Sequence, residues 1–134
     1  DINAVLNGDL ISKISCGSLH IGCLTLKNEI IMFGYNNFNQ CGVTGNNINC
    51  HSGNKILINY MERITDIKCG STHNIIKSNK NKYYAFGCNI SRELLINDDV
   101  ISVVKPELID INYIKRLIDT NDKIIDFIPG FRCT

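Results

Sequence analysis

The chain has 134 residues and a formal net charge of +1, from 14 basic and 13 acidic side chains. That length suits one compact domain, and the balanced charge excludes the strong field that would attract nucleic acid or an acidic membrane. No apolar run reaches the roughly 18 residues of a transmembrane helix, and the first residue, Asp1, suggests a fragment or a processed chain. We therefore expect no membrane partner and no preference for nucleic acid.

Short apolar segments alternate with turn signals along most of the chain. Ile and Tyr are frequent in them, which is typical of half-buried strands, and Asn-rich connections such as Ser78–Asn81 suit tight hairpins. Tyr113–Asp119 has helical spacing and is interpreted equally well as a helical turn or a loop. Many short strands predict an all-β sandwich, barrel or propeller. The predicted strands are Leu10–Cys16, Ile21–Leu26, Ile30–Phe33, Ile56–Tyr60, Ile64–Cys69, Asn74–Lys77, Lys82–Phe86, Glu107–Ile111 and Lys123–Ile128.

Two motifs occur twice with one spacing. The pattern Cys-Gly-Ser-x-His ends Ile14–His20 and returns at the end of Ile67–His73, while Phe33–Asn36 returns as Phe86–Asn89. Both motifs are offset by 53 residues, from position 17 to 70 and from 34 to 87. A third copy begins at Ile125–Arg132, where Pro129 stands in place of the cysteine. Periods near 50 residues are typical of propeller blades.

This period predicts how the chain is organised. We expect one propeller segment over residues 1–134, with a repeat at about 14–66, a second at about 67–124 and the start of a third at 125–134. The residues that form the repeat signature are Cys16, Gly17, His20, Gly34, Asn36, Cys69, Gly70, His73, Gly87 and Asn89.

The repeated residue types suggest structural roles. Glycine is favoured where φ is positive or where two backbones approach closely, which fits Gly17 and Gly34. His20 and His73 either brace the turn that precedes them or contact a partner. The brace is favoured, because a structural role is needed in every repeat whereas a catalytic role is needed once.

The order strand, Cys-Gly-Ser-x-His, strand, hairpin, strand, Phe-Gly-x-Asn resembles the repeat of the regulator of chromosome condensation family. In that family a Gly-Gln-Leu-Gly-like turn follows, and Asn39–Gly42 fits it with Asn39 in place of Gly and Cys41 in place of Leu. The second copy keeps Asn89 and Leu94 but loses both turn glycines. The resemblance implies antiparallel four-stranded blades in a seven-bladed β-propeller. This chain would supply about two blades, and the same or another chain the rest.

The resemblance implies more than one function. The first hypothesis is a non-catalytic scaffold that presents loops to a protein partner, and the alternative is a guanine nucleotide exchange factor for a small Ran-like GTPase. A chromatin-associated or virion-associated structural protein is a third possibility. The ultraviolet-sensing members of the family use clustered tryptophans, and this sequence has none. The candidate partner-contact loop contains Asn37, Phe38, Asn39 and Gln40.

Seven cysteines are an odd number, which does not suit a secreted disulfide framework. Cys16 and Cys69 follow apolar strands, where a free cysteine acts as a small hydrophobe. We interpret most of the cysteines as reduced core thiols and therefore expect an intracellular protein, cytoplasmic or nuclear. A disulfide or a metal site is the alternative.

Other clusters of reactive residues lack the spacing of known sites. Cys41, Cys50 and His51 do not have the paired spacing of a zinc site, and no protease-like signature surrounds a cysteine. We therefore predict no metal, no cofactor and no catalytic residue, and do not expect an enzyme. Lys77 and Lys82, with Lys80 between them, are interpreted as a solvated basic loop, with phosphate contact as the alternative.

Overall fold

A computed structural model describes residues 2–44, 49–56, 58, 62–96, 99–119 and 121–130. These residues form two four-stranded antiparallel sheets, each a meander whose strands lie in chain order. The first sheet, blade 1, contains β1 (Ile11–Cys16), β2 (His20–Thr25), β3 (Ile30–Tyr35) and β4 (Asn49–Ile56). The second, blade 2, contains β5 (Ile64–Cys69), β6 (His73–Ser78), β7 (Tyr83–Cys88) and β8 (Ser102–Leu108). Two short helices flank them, α1 (Ile2–Leu6) and α2 (Ile111–Leu117).

The two blades have the same register. His20 lies opposite Gly34 in blade 1, and His73 lies opposite Gly87 in blade 2. The first strand pair of each blade is irregular at equivalent positions, starting at Ile11 in blade 1 and at residue 64 in blade 2. The prediction of four-stranded antiparallel blades in an all-β chain is therefore confirmed, and the sequence repeat corresponds to a structural repeat.

The main core lies between the facing sides of the two sheets. Gly22 of β2 is so close to blade 2 that an added Cβ would lie 2.5 Å from Ile67 Cδ1. The backbone N–H of Cys69 donates to Ser15 Oγ at 2.9 Å across the same interface. As a result Ile67 is 3% exposed, whereas its blade 1 equivalent, Ile14, is 62% exposed on the side of blade 1 that faces away from blade 2.

Two outer strands differ from the predicted positions. The predicted strand Ile56–Tyr60 begins where β4 ends, and residues 57 and 59–60 lie outside the described part of the chain. β4 itself occupies a polar stretch for which no strand was predicted. This edge strand pairs with β3 through its backbone, and only its last residue, Ile56, is buried. β8 begins five residues before the predicted Glu107–Ile111, and it contains Pro106, which an edge strand tolerates.

The segments after β8 also differ from the sequence-based expectations. The ambiguous stretch Tyr113–Asp119 overlaps helix α2, which Asp110 caps by accepting hydrogen bonds from two backbone N–H groups. The predicted strand Lys123–Ile128 is not a strand, because it packs on blade 2 through side chains such as Phe127 rather than through a ladder of hydrogen bonds. The boundaries of the three repeats stay predictions, and residues 131–134 of the third lie outside the described chain. Within the described ranges, no helix is long and apolar enough to cross a bilayer.

Candidate functional site

Four connections emerge on one face of the two blades, which we call the loop face. Strand direction places the β1–β2 and β3–β4 connections there in blade 1, and the β5–β6 and β7–β8 connections in blade 2. The opposite face, which we call the hairpin face, carries the hairpin turns after β2 and β6. Every signature glycine, histidine and asparagine of the repeat lies on or next to the loop face, because each marks a strand end there.

The loop after β3 is held by its own side chains. Asn36 Oδ1 accepts from the N–H of Cys41 at 2.8 Å, and its Nδ2 donates to the carbonyl of Val43 at 2.9 Å. Gln40 Oε1 accepts from the N–H of Phe38 at 2.8 Å, so the Gln40 side chain is turned inward and fully buried. Asn39 has a φ of +60°, which Asn tolerates better than most residues.

Blade 2 repeats this loop with different residues. Asn89 Oδ1 accepts from the N–H of Leu94 at 3.2 Å, and its Nδ2 donates to the carbonyl of Val100 at 2.9 Å. Glu93 occupies the Gln40 position and accepts from the N–H of Ser91 at 2.8 Å. The same asparagine therefore organises both loops, whatever the residues at their tips.

The four residues of the candidate partner-contact loop differ in accessibility. Asn37 is exposed, Phe38 and Asn39 are half-buried, and Gln40 is buried. Asn39 Nδ2 donates to Ser102 Oγ at 2.8 Å, so this side chain ties blade 1 to the start of β8. Of these four residues, Asn37 and Phe38 are thus accessible to another molecule, as is the exposed Ile90 at the tip of the blade 2 loop.

His20 joins the two blades. Its Nε2 lies 2.8 Å from Asn74 Oδ1, and Asn74 Nδ2 donates to the carbonyl of Gln40 at 2.8 Å. This second bond orients the Asn74 amide, so Nε2 of His20 is the donor in the first. Burial lowers the pKa of His20, an effect that the bond to Asn74 only partly opposes. The ring is therefore a neutral donor inside the blade interface.

His73 occupies the equivalent buried position in blade 2. Burial lowers the pKa of its ring, which the nearby carboxylate of Glu93 opposes and the nearby His20 reinforces. The structure thus brings both repeated histidines, Gln40 and Asn74 into one buried polar cluster. Sequence analysis did not identify Asn74, because its blade 1 equivalent is Ile21 and no repeated motif marks it.

The signature glycines let backbones approach. A Cβ at Gly17 would lie 2.5 Å from the carbonyl oxygen of Gly70, and a Cβ at Gly70 would lie 2.8 Å from that of Gly130. Ser18 and Ser71 continue this contact, since their hydroxyls are 3.0 Å apart. Gly34 and Gly87 have φ values of +105° and +108°, which a residue with a side chain rarely adopts.

The cysteines of the described chain are free thiols. Burial raises the pKa of Cys69 to about 12, which makes it an inert core thiol, whereas its repeat equivalent Cys16 is exposed. Among the residues that the structure describes, no group of three or more His, Cys, Asp or Glu side chains could hold a metal ion.

The basic cluster of Lys77, Lys80 and Lys82 contacts other side chains of the protein on the hairpin face. Lys82 Nζ donates to Glu62 at 2.6 Å and lowers the pKa of that carboxyl to about 2. Lys80 lies 3.9 Å from the same carboxylate, and Lys77 stands over the ring of Tyr83.

No family model matches the chain. It is 30% identical over 95 residues to the ultraviolet-B receptor UVR8 of Arabidopsis thaliana, an alignment that covers 71% of this chain and 21% of the receptor. It is 29% identical over 105 residues to the protein RCC2 homolog of Xenopus laevis, covering 78% of this chain and 20% of that protein. The chain thus spans about a fifth of the length of these relatives.

Solved structures with the same fold include human WBSCR16, with a TM-score of 0.70 and 12% identity over 81% of this chain and 27% of that one. Saccharomyces cerevisiae Prp20p, the yeast RCC1, matches with a TM-score of 0.62 and 21% identity, covering 75% of this chain and 27% of Prp20p. Because the duplicated signature coincides with two sheets of one register, and these relatives share both the repeat and the fold, the chain belongs to the regulator of chromosome condensation family and forms a segment of a β-propeller.

Proposed function

We propose that this segment is a non-catalytic interaction module whose loop face binds a folded protein partner. The observation that carries the proposal is the contrast between the base and the tip of each loop. Asn36 and Asn89 fix the bases through two hydrogen bonds each, while Asn37 and Ile90, which are repeat equivalents, are exposed at the tips. Loops carried on a rigid scaffold are common binding elements.

The kind of partner follows from the exposed surface. Ile90 is 62% exposed and Ile101, at the end of the same blade 2 loop, is 74% exposed. Phe38 adds a half-buried aromatic ring from the blade 1 loop. An apolar surface with an aromatic residue suits a protein partner better than a phosphate-bearing one. The free thiols of the described chain support the expected intracellular location.

An exchange factor for a Ran-like GTPase is the second candidate function. Prp20p, which has the same fold, is described by its binding to Gsp1p and histones. We infer that a Ran-like GTPase is the first partner to test, with full-length protein and a GTPase loaded with a fluorescent nucleotide. Faster nucleotide release would support exchange activity, whereas binding without faster release would support the scaffold.

The binding surface itself is tested by site-specific photo-crosslinking in the full-length protein. A photoreactive residue at Asn37 is expected to give a discrete crosslinked partner, and Ile90→Ala should weaken partner binding about tenfold, a loss of about 1.4 kcal/mol. Leu26→Ala is the matched control, because Leu26 is 64% exposed but lies on the hairpin face. Equal crosslinking from positions 37 and 26, or equal weakening by the two alanine variants, would contradict the proposal.

A further inference from the structure

Two cysteines lie side by side in blade 1. Cys41 is buried in the loop after β3, and its Sγ lies 3.4 Å from the carbonyl oxygen of Tyr35 and 3.7 Å from that of Gly34. Gly34 is the cross-strand partner of Cys50 in β4. The Cys50 thiol is half-buried against the same core, and it is close enough to help raise the pKa of the Cys41 thiol.

The backbone around Cys41 is fixed to the strand that carries Cys50. The N–H of Cys41 donates to Asn36 Oδ1 at 2.8 Å, while Nδ2 of Asn54 donates to its carbonyl at 2.9 Å. Asn54 and Cys50 both belong to β4. The two thiols are therefore held near each other by contacts on both sides of Cys41.

The equivalent positions in blade 2 are occupied by apolar residues. The residues 53 positions later are Leu94 and Val103, both buried in the core. Val103 pairs with Gly87 as Cys50 pairs with Gly34. An apolar pair thus fills this site in blade 2, and blade 1 holds cysteine at both positions.

We propose that Cys41 and Cys50 are a redox-sensitive pair that forms a reversible disulfide by exchange with a low-molecular-weight disulfide such as glutathione disulfide. The more accessible Cys50 thiolate attacks one sulfur of glutathione disulfide, which releases one glutathione thiolate and leaves a mixed disulfide on Cys50. The Cys41 thiolate then attacks Cys50 Sγ and releases the second glutathione. The two thiols lose two electrons and two protons, and the glutathione disulfide is reduced to two glutathiones.

The environment of the pair determines its rate. Burial, reinforced by the neighbouring Cys50 thiol, raises the pKa of Cys41. Because the thiolate is the attacking species, ring closure by Cys41 is the slow step and should accelerate as the pH rises.

The disulfide would act on the proposed binding loop. Cys41 follows directly on Asn37–Gln40, and the next residue, Gly42, lies against the carbonyl of Val104 in blade 2. A bond from Cys41 to β4 would fix the end of this loop, so oxidation should reduce its motion without changing the blade core.

The experiment incubates the full-length protein with glutathione disulfide, blocks the remaining thiols with an alkylating agent and maps the peptides by mass spectrometry. We expect a peptide crosslinked between Cys41 and Cys50, its reversal by reduced glutathione, and slower amide exchange over residues 36–44 after oxidation. Recovery of both cysteines in alkylated form, or crosslinking of Cys50 to a different cysteine, would overturn the proposal.

The residues of blade 2 at the equivalent positions define the control variants. Cys41→Leu with Cys50→Val installs the blade 2 residues, so the double variant should fold and should lose the change in amide exchange. Cys41→Leu alone should trap glutathione on Cys50, since the resolving thiol is absent. If the double variant kept the oxidation-dependent change in exchange, another cysteine would be responsible and the inference would fail.

Discussion

Replacing Asn74 tests whether the two blades share one hydrogen-bonded core. Asn74 is fully buried, accepts from His20 in blade 1 and donates to the Gln40 carbonyl, each at 2.8 Å. Asn74→Ala removes both bonds and leaves Nε2 of His20 and the Gln40 carbonyl without these partners in a buried site. A buried polar group without a hydrogen-bond partner costs about 1–3 kcal/mol. Two such groups should lower the free energy of unfolding by about 2–6 kcal/mol.

The shape of the side chain can be separated from its chemistry. Asn74→Leu keeps the branched shape and the number of heavy atoms but offers neither donor nor acceptor, so it should be nearly as destabilising as the alanine variant. Asn112→Ala is the control, because Asn112 is exposed on α2 and such substitutions usually change stability by less than about 0.5 kcal/mol.

Urea unfolding of the three variants and the parent protein measures these differences. The reasoning would be refuted if Asn74→Leu were as stable as the parent protein, because the shape of the side chain, and not its hydrogen bonds, would then account for its contribution to stability. It would also be refuted if Asn74→Ala cost no more than Asn112→Ala.

Three further predictions concern other parts of the chain. Gly34→Ala should destabilise more than Gly8→Ala in thermal unfolding, because both residues have positive φ but only a Cβ at Gly34 would meet backbone, 2.5 Å from the Leu19 carbonyl oxygen. Burial lowers the pKa of His20 in the folded state, so the unfolded chain takes up the proton first. The stability that depends on this neutral ring should be fully present above about pH 6.5 and should fall as the pH drops below that value. Urea unfolding across this range measures the fall, and His20→Gln should reduce the slope without abolishing it, because burial also lowers the pKa of His73. Asp110→Ala removes the cap of α2 and should cost about 0.5–2 kcal/mol locally, measured by amide exchange.

The central strands could be predicted from the sequence because both their faces are covered. Buried strands need apolar side chains at most positions, and the predicted strand Ile30–Phe33 lies within β3 (Ile30–Tyr35), whose first three residues are buried. The repeat then fixed which strands are equivalent, since one offset of 53 residues aligns both motifs. Strands are therefore predicted at their observed positions where burial requires apolar residues.

The outer strands could not be located in this way. The edge strand β4 has a single buried side chain, that of Ile56, so backbone hydrogen bonds rather than apolar side chains define it. Its sequence, Asn49–Ile56, has the composition of a loop. β8 contains Lys105 and Pro106, which are common on edges and weaken any sequence signal for a strand.

Part of the candidate site also could not be predicted from the sequence. Gln40 was grouped with its neighbours as a partner contact, and its inward orientation depends on Phe38 N–H and on the fold of the whole loop. Asn74 was missed because it bridges two blades through contacts with residues 34 and 54 positions away. Polar groups that satisfy one another across a fold leave no local pattern.

The differences between the two repeats therefore carry more information about this protein than their similarities. Positions that agree, such as Asn36 and Asn89, make the same hydrogen bonds and build the same loop in each blade. Positions that differ reflect either contacts made by one blade alone, as for Asn74 against Ile21, or a property that the shared frame does not require. Cys41 with Cys50, against Leu94 with Val103, is such a difference at two contacting positions at once, and Ile90 against Asn37 is one at an exposed tip. Installing the blade 2 residues at positions 41 and 50 should therefore preserve the fold and change only the property under test, so blade 2 provides the control for this pair.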